Sequence, residues 1–207
     1  LITGGTGSFG KCFLQEVLNL WPDIGRIVIY SRDELKQWEM KEDFPESKYP
    51  QLRFFLGDVR DKDRFSTALY RIDTVIHAAA LKRVDDMEMY PDECVKTNIQ
   101  GSENVAIAAL NNGVKKCILV TTDKACQPVN VYGSSKFIAE RIFTNFDYNS
   151  KDTIFASVRY GNVIASRWSF IPLWLDIINK KENIKVTSME CSRFLFTLSD
   201  AVDTVLD

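Results

Sequence analysis

The feature that most restricts this chain is an alternation of short, β-branched apolar runs with longer amphipathic ones, with no hairpin signal between them. The short runs are Leu1-Ile2-Thr3, Ile27–Tyr30, Arg53–Leu56, Thr74–His77, Cys117–Val120 and Ile154–Arg159. Runs this brief are too short for helices and fit strands buried on both faces. Helical periodicity fills the gaps: Lys11–Leu20 with Phe13, Leu14, Val17 and Leu18 apolar, a run from about Glu34, Asp61–Tyr70, Pro91–Asn111 closed by Gly113, and a helix after the fifth strand. Strands separated by helices cannot pair as hairpins, so the expected architecture is α/β, a doubly wound parallel sheet with helices on both faces.

The first strand runs straight into Gly4-Gly5-Thr6-Gly7-Ser8-Phe9-Gly10, and a helix follows. Gly5-x-Gly7-x-x-Gly10 between a strand and a helix is the context that a dinucleotide-binding turn requires. Glycine permits the tight turn, and the helix's first amides meet the pyrophosphate charge. Gly4, Thr6, Gly7, Ser8, Phe9 and Gly10 are therefore the expected pyrophosphate-binding residues. Ser31-Arg32-Asp33 ends the second strand, with Lys36 one turn on. Arg32 and Lys36 suit a ribose 2′-phosphate and favour NADP. Asp33 competes with that reading, and at a helix start it also reads as an N-cap. Asp58-Val59 after the third strand is placed to meet an adenine ring, and Ala78-Ala79-Ala80 after the fourth offers small side chains beside the cofactor.

The fifth strand leads into Thr121-Thr122-Asp123-Lys124, then Tyr132 and Lys136, which are four apart and share a helical face. A phenol is a poor base at neutral pH, and a neighbouring ammonium is expected to lower its pKa. Tyr132 would take a hydroxyl proton, with Thr122 bonding the same oxygen. A second acid and base, Asp123 and Lys124, implies a further proton transfer such as eliminating water next to a ketone, or else an ordinary strand-end turn. The single histidine, His77, reads as a fold residue.

From Gly161 the pattern loosens through Arg167, Trp168, Pro172, Trp174 and a short β-like Ile184-Lys185-Val186. Residues 1–160 are thus expected to form the NADP-binding domain and 161–207 the beginning of a smaller substrate-binding lobe. Both ends read as interruptions, in a strand at Leu1 and in a helix at Asp207, as in part of a longer protein. A net charge of -2 with interspersed signs gives no electrostatic case for nucleic acid. No apolar run reaches the roughly 18–20 residues of a membrane span, and no signal peptide is visible. Five cysteines without metal-ligand spacing argue against a disulfide framework or a metal site and point to a reducing cytoplasm.

Thr3–Lys11, Tyr30–Gln37, Gly57–Arg60, His77–Lys82, Lys96–Gly101 and Thr122–Ala125 together resemble the extended short-chain dehydrogenase/reductases, and within them the inverting UDP-N-acetylglucosamine 4,6-dehydratases that open pseudaminic acid synthesis. The resemblance spans nearly the whole chain. It implies a cycle at one NADP on a UDP-sugar. Tyr132, helped by Lys136, deprotonates the C4 hydroxyl, Lys124 removes the C5 proton, and Asp123 protonates the departing C6 hydroxyl. Reprotonation from the opposite face inverts C5. It further implies that Lys82 lies at the cofactor and substrate, that Asn162 and the segment with Ser166, Arg167 and Ser169 touch substrate, and that Arg193 holds the diphosphate. A homo-oligomer is implied, since the relatives assemble as hexamers. Ala165-Ser166-Arg167-Trp168-Ser169 departs from the family's Gly-Ser-Arg-Gly-Ser, and Met189–Phe194 from its usual Met-Thr-Arg-Phe-Trp. A sugar-nucleotide 4-epimerase and a non-catalytic dinucleotide-binding protein are the alternative readings.

Overall fold

A computed structural model describes residues 1–164, 170–184, 186, 188, 190 and 192–207, and the side chain of Phe170 lies outside the description. Six strands form one sheet: β1 (Ile2–Thr3), β2 (Ile27–Ser31), β3 (Leu52–Leu56), β4 (Thr74–His77), β5 (Lys116–Thr122) and β6 (Ile154–Tyr160). Their order is β3-β2-β1-β4-β5-β6 and every pairing is parallel. The order reverses between β1 and β4, so a crevice opens at their C-terminal ends. The expected doubly wound sheet is the one observed.

Side-chain alternation along the strands sorts the core into two layers. Val28, Tyr30, Val75, Cys117, Leu119 and Phe155 pack on one face, against α3 (Lys62–Ala68), α6 (Gly101–Asn111) and α7 (Val131–Asn149). Ile27, Ile29, Ile76 and Val120 face the other way, onto α1 (Ser8–Leu20) and α2 (Glu34–Asp43). That second layer also takes Val202 and Val205 of α9 (Leu198–Leu206), so this helix belongs to the sheet's core although it falls in the segment expected to begin a separate lobe. Thr197 caps it in a reciprocal box with Asp200.

Several elements differ from the sequence reading. β5 extends to Thr122, so both threonines stand on the strand. A short α4 (Val84–Met89) follows β4. The long run before Gly113 is divided: α5 (Pro91–Cys94) passes through a π-helical stretch, Val95–Gln100, into α6. After β6, β7 (Asn162–Val163) pairs in parallel with β8 (Leu195–Phe196) as a separate two-stranded ribbon. α8 (Phe170–Asn179) lies between them in sequence. Ile184 and Val186 are not in a strand, and Lys185 lies outside the described residues.

The glycine turn is held by close packing. A Cβ on Gly10 would lie 2.5 Å from the Gly5 Cα and carbonyl oxygen, so α1 can sit on the turn only without a side chain there. Gly10→Ala is expected to cost about 1–3 kcal/mol by overpacking. Gly25→Ala, where nothing lies within 4 Å, should stay within about 0.5 kcal/mol. Urea unfolding of the two variants checks this, and equal losses would contradict the packing argument.

Candidate active site

The C-terminal ends of β1, β2 and β3 build the nucleotide side. Gly4 has φ +64°, and the Gly7 amide closes the turn on the Gly4 carbonyl at 2.9 Å. Gly7 caps α1 with no side chain over the first amides, and a Cβ there would meet only the Gly4 oxygen, at 3.2 Å. The turn thus presents an open, amide-lined face that fits a pyrophosphate. Phe9 instead turns its ring inward against Phe13 and Tyr160. Thr6 and Ser31 share a hydrogen bond of 2.9 Å between their hydroxyls, which ties the turn to the end of β2.

Asp33 is an N-cap: it accepts from the Lys36 amide at 3.0 Å, and the Lys36 ammonium pairs with its other oxygen. Arg32 is half-exposed and 3.5 Å from Asp58. Burial pushes the Asp58 carboxyl up, but bonds from the Arg60 side chain and amide, with the Arg60 and Arg32 charges, bring it below its ordinary value. Val59 is buried at 4% and packs on Gly101, while its carbonyl accepts from Asn104. Its side chain is therefore core, which leaves only backbone for the adenine contact expected of it. Ala78 and Ala79 stand partly buried beside Gly4, whose Cβ would come 2.9 Å from the Ala79 backbone. Lys82 is exposed, and desolvation draws its ammonium below the usual value.

The catalytic side lies at the end of β5. Asp123–Ala125 form a 3-10 turn, and Asn130 caps α7 by accepting from the Gly133 amide at 2.7 Å. A Cβ on Gly133 would sit 2.3 Å from the Lys124 carbonyl oxygen. Only glycine there lets the first turn of α7 rest on the Asp123–Ala125 turn, which brings Tyr132 beside the acid–base pair. Thr122 donates to Asp123 Oδ1 at 2.9 Å, and the Lys124 ammonium reaches the same oxygen at 3.1 Å and Asn162 Oδ1 at 2.8 Å. Lys136 is buried at 4% and donates to the Val120 carbonyl at 2.9 Å. Burial lowers its pKa to about 8, against the opposing pull of Glu140 and Cys94.

Tyr132 corrects one expectation. Its phenol is not lowered but pushed up to about 12, first by burial and also by the Asp123 charge, while a hydrogen bond with Thr122 pulls it down. Lys136 is turned to the β5 carbonyl, so the ammonium that was to activate the phenol serves the strand in this state. Arg193 is exposed on the approach to β8 and bonds the Ser192 carbonyl at 2.7 Å. Ser166, Arg167 and Ser169, with Trp168, lie outside the described residues.

Two contributors were not singled out from sequence. Asn98, in the π-helical stretch, brackets the Leu81 amide and carbonyl at 2.8 and 3.0 Å and donates to the Ser135 hydroxyl at 3.0 Å. It therefore joins the loop after β4 to the helix of Tyr132 and Lys136. A π-turn at a functional site is a known signal, but it has no sequence signature. Glu140, buried one turn beyond Lys136, accepts from Thr121 at 2.9 Å and from Arg159 through both oxygens. His77 is confirmed as a fold residue, buried between Thr3 (2.7 Å) and Ser102 (3.0 Å) and held neutral by burial, with a pKa of about 3.

A six-stranded sheet in this order, a glycine turn at β1 and a Tyr-x-x-x-Lys helix after β5 define an extended short-chain dehydrogenase/reductase. The family described as "Polysaccharide biosynthesis protein" matches residues 1–207, and the chain belongs to it. It is 48% identical over 210 residues to the UDP-N-acetylglucosamine 4,6-dehydratase (inverting) of Campylobacter jejuni subsp. jejuni serotype O:2, and 45% identical over 210 residues to the UDP-glucose 4-epimerase of Rickettsia typhi. Each alignment covers 100% of this chain and 61% of the relative, so the chain spans about three-fifths of their length. The X-ray structure of Pen from Bacillus thuringiensis superposes with a TM-score of 0.94 at 40% identity, over 99% of this chain and 65% of that one. Among the described residues, no helix is long and apolar enough to cross a membrane.

Glu140 is the carboxylate whose charge holds the Lys136 proton against burial. Glu140→Gln should move the lysine's titration below about 8, followed by the Lys136 side-chain NMR shift against pH. An unmoved midpoint would contradict the assignment.

Proposed function

We propose that this chain is the cofactor-binding and catalytic part of an inverting UDP-N-acetylglucosamine 4,6-dehydratase acting in surface polysaccharide synthesis, at the entry to pseudaminic acid. The observation that carries the reading is the Thr122–Asp123–Lys124 cluster beside Tyr132. A 4-epimerase needs a tyrosine, a lysine and a hydroxyl to remove and restore hydrogen at C4, and has no use for a second acid–base pair. Asp123 and Lys124 share a hydrogen bond of 3.1 Å. One proton passed along it gives an amine and a carboxylic acid together, the two states that elimination across C5 and C6 requires.

In this reading Tyr132 takes the C4 hydroxyl proton, Lys124 removes the C5 proton made acidic by the ketone, and Asp123 gives a proton to the departing C6 oxygen. A nicotinamide held there would supply the hydride chemistry at C4 and C6. NADP is the cofactor we favour. Asp33 is occupied in capping α2, and half-exposed Arg32 is the cation free to turn towards a 2′-phosphate from 3.5 Å off Asp58. Gly4, Thr6, Gly7, Ser8 and Gly10 would hold the pyrophosphate. Lys82 and Arg193 would face the UDP-sugar. Residues 1–160 then form the cofactor domain and 161–207 begin the substrate lobe, with α9 returning to the sheet. We place the whole protein in the cytoplasm as a homo-oligomer. The second reading, a UDP-sugar 4-epimerase, is favoured by the name that several Rickettsia relatives carry.

The test uses the full-length protein and UDP-N-acetylglucosamine. Tyr132→Phe should lose both hydride transfer and dehydration, by about 10²-fold or more. Lys124→Ala should still reduce cofactor at 340 nm yet release no 4-keto-6-deoxy product. Dehydration by Lys124→Ala at the wild-type rate would overturn the reading.

A further inference from the structure

Asn162 enters as an expected substrate contact, but its side chain is already engaged. Its Oδ1 accepts from Lys124 Nζ at 2.8 Å, shorter than the 3.1 Å from that ammonium to Asp123. The two residues are 38 positions apart, on different strands' ends, and both are partly buried. A second acceptor besides Asp123 restrains the direction of a flexible four-carbon side chain. A neutral amide performs this without the ion pairing that a second carboxylate would add.

Asn162 is itself rigidly placed. It is the first residue of β7, in register with Leu195 of β8, and its amide donates to the Phe194 carbonyl at 2.8 Å. Gly161 makes that approach feasible, since a Cβ there would lie 2.6 Å from the Phe194 oxygen. A second bond, Ile164 N to Phe196 O at 2.8 Å, fixes the ribbon. The residue before Phe194 is Arg193, exposed at the ribbon's entrance. Because β7 and β8 run parallel with Asn162 in register with Leu195, the acceptor for Lys124 and the exposed Arg193 lie at the same end of this short ribbon.

We propose that Asn162 is a positioning residue that aims Lys124, held for that task by the β7–β8 ribbon. The proposal rests on Lys124 being the C5 base. It differs from a substrate-contact role for Asn162 in which atom matters. Positioning uses the carbonyl oxygen, whereas a donor contact to a sugar hydroxyl would use the amide nitrogen.

Two variants of the full-length protein separate these. With UDP-N-acetylglucosamine, Asn162→Ala should lower kcat for dehydration about 10- to 100-fold, the scale of a misplaced catalytic group, with KM within about two-fold. Asn162→Asp keeps an acceptor oxygen on Lys124 and loses the donor, so it should recover most of that kcat when assayed at alkaline pH, which offsets the ion pairing that a second carboxylate adds. Lys124 acetylation by acetic anhydride, read by mass spectrometry without substrate, should quicken several-fold in Asn162→Ala and not in Asn162→Asp. A KM rise with kcat intact in Asn162→Ala, equal loss in the Asp and Ala variants, or unchanged Lys124 reactivity would each overturn the proposal. If the wild type releases no dehydrated product, the dehydratase reading falls, and the acetylation result alone decides whether Asn162 holds Lys124.

Discussion

The site depends on how α7 lies across the end of β5. Lys136 reaches back to the Val120 carbonyl at 2.9 Å from a position 4% exposed, joining helix and strand through a buried cation. One turn earlier, Gly133 rests against the Lys124 carbonyl, where any Cβ would collide at 2.3 Å. One turn later, Glu140 meets Thr121 and Arg159. These three contacts, in successive turns of one helix, fix Tyr132 over Asp123 and Lys124. Parallel pairing of β4, β5 and β6 brings their carboxyl ends together, so the acid–base chemistry gathers at one edge.

Burial sets the electrostatic character of that edge. Desolvation drives the Lys136 ammonium down to about 8 and the Tyr132 phenol up to about 12, both towards their neutral forms. A site in this state does not hold phenolate. Under the proposed function, the positive charge of an oxidised nicotinamide would be what favours phenolate at Tyr132. Asp123 and Lys124 are more open, at 30% and 33% exposed, and already linked to each other.

Most of this could be read in the amino-acid order wherever the information was local. The six strands and the glycine turn rest on spacing within a few residues and stand where they were expected, while Tyr132 and Lys136 share the start of α7 with the ammonium turned to the Val120 carbonyl. What escaped depends on residues far apart in the chain. Asn98 meets Ser135 across 37 positions, Thr121 meets Glu140 across 19, and Lys124 meets Asn162 across 38. No periodicity encodes such meetings. The π-helical stretch over Val95–Gln100 was read as ordinary helix because a one-residue change of hydrogen-bond register barely alters the apolar pattern. α9 was assigned to a separate lobe because its sequence lies after β6, while its Val202 and Val205 complete the layer under α1. The phenol's raised pKa was missed because spacing gives proximity but neither burial nor the direction in which an ammonium points.

The central claim is that one site runs both a hydride step and an elimination. The most direct measurement is NMR of the sugar nucleotide released when the full-length wild-type protein turns over UDP-N-acetylglucosamine in deuterated water. A 4-keto-6-deoxy product carrying deuterium at C5, with that centre inverted, is the expected result. An unlabelled sugar isomerised only at C4 would contradict it.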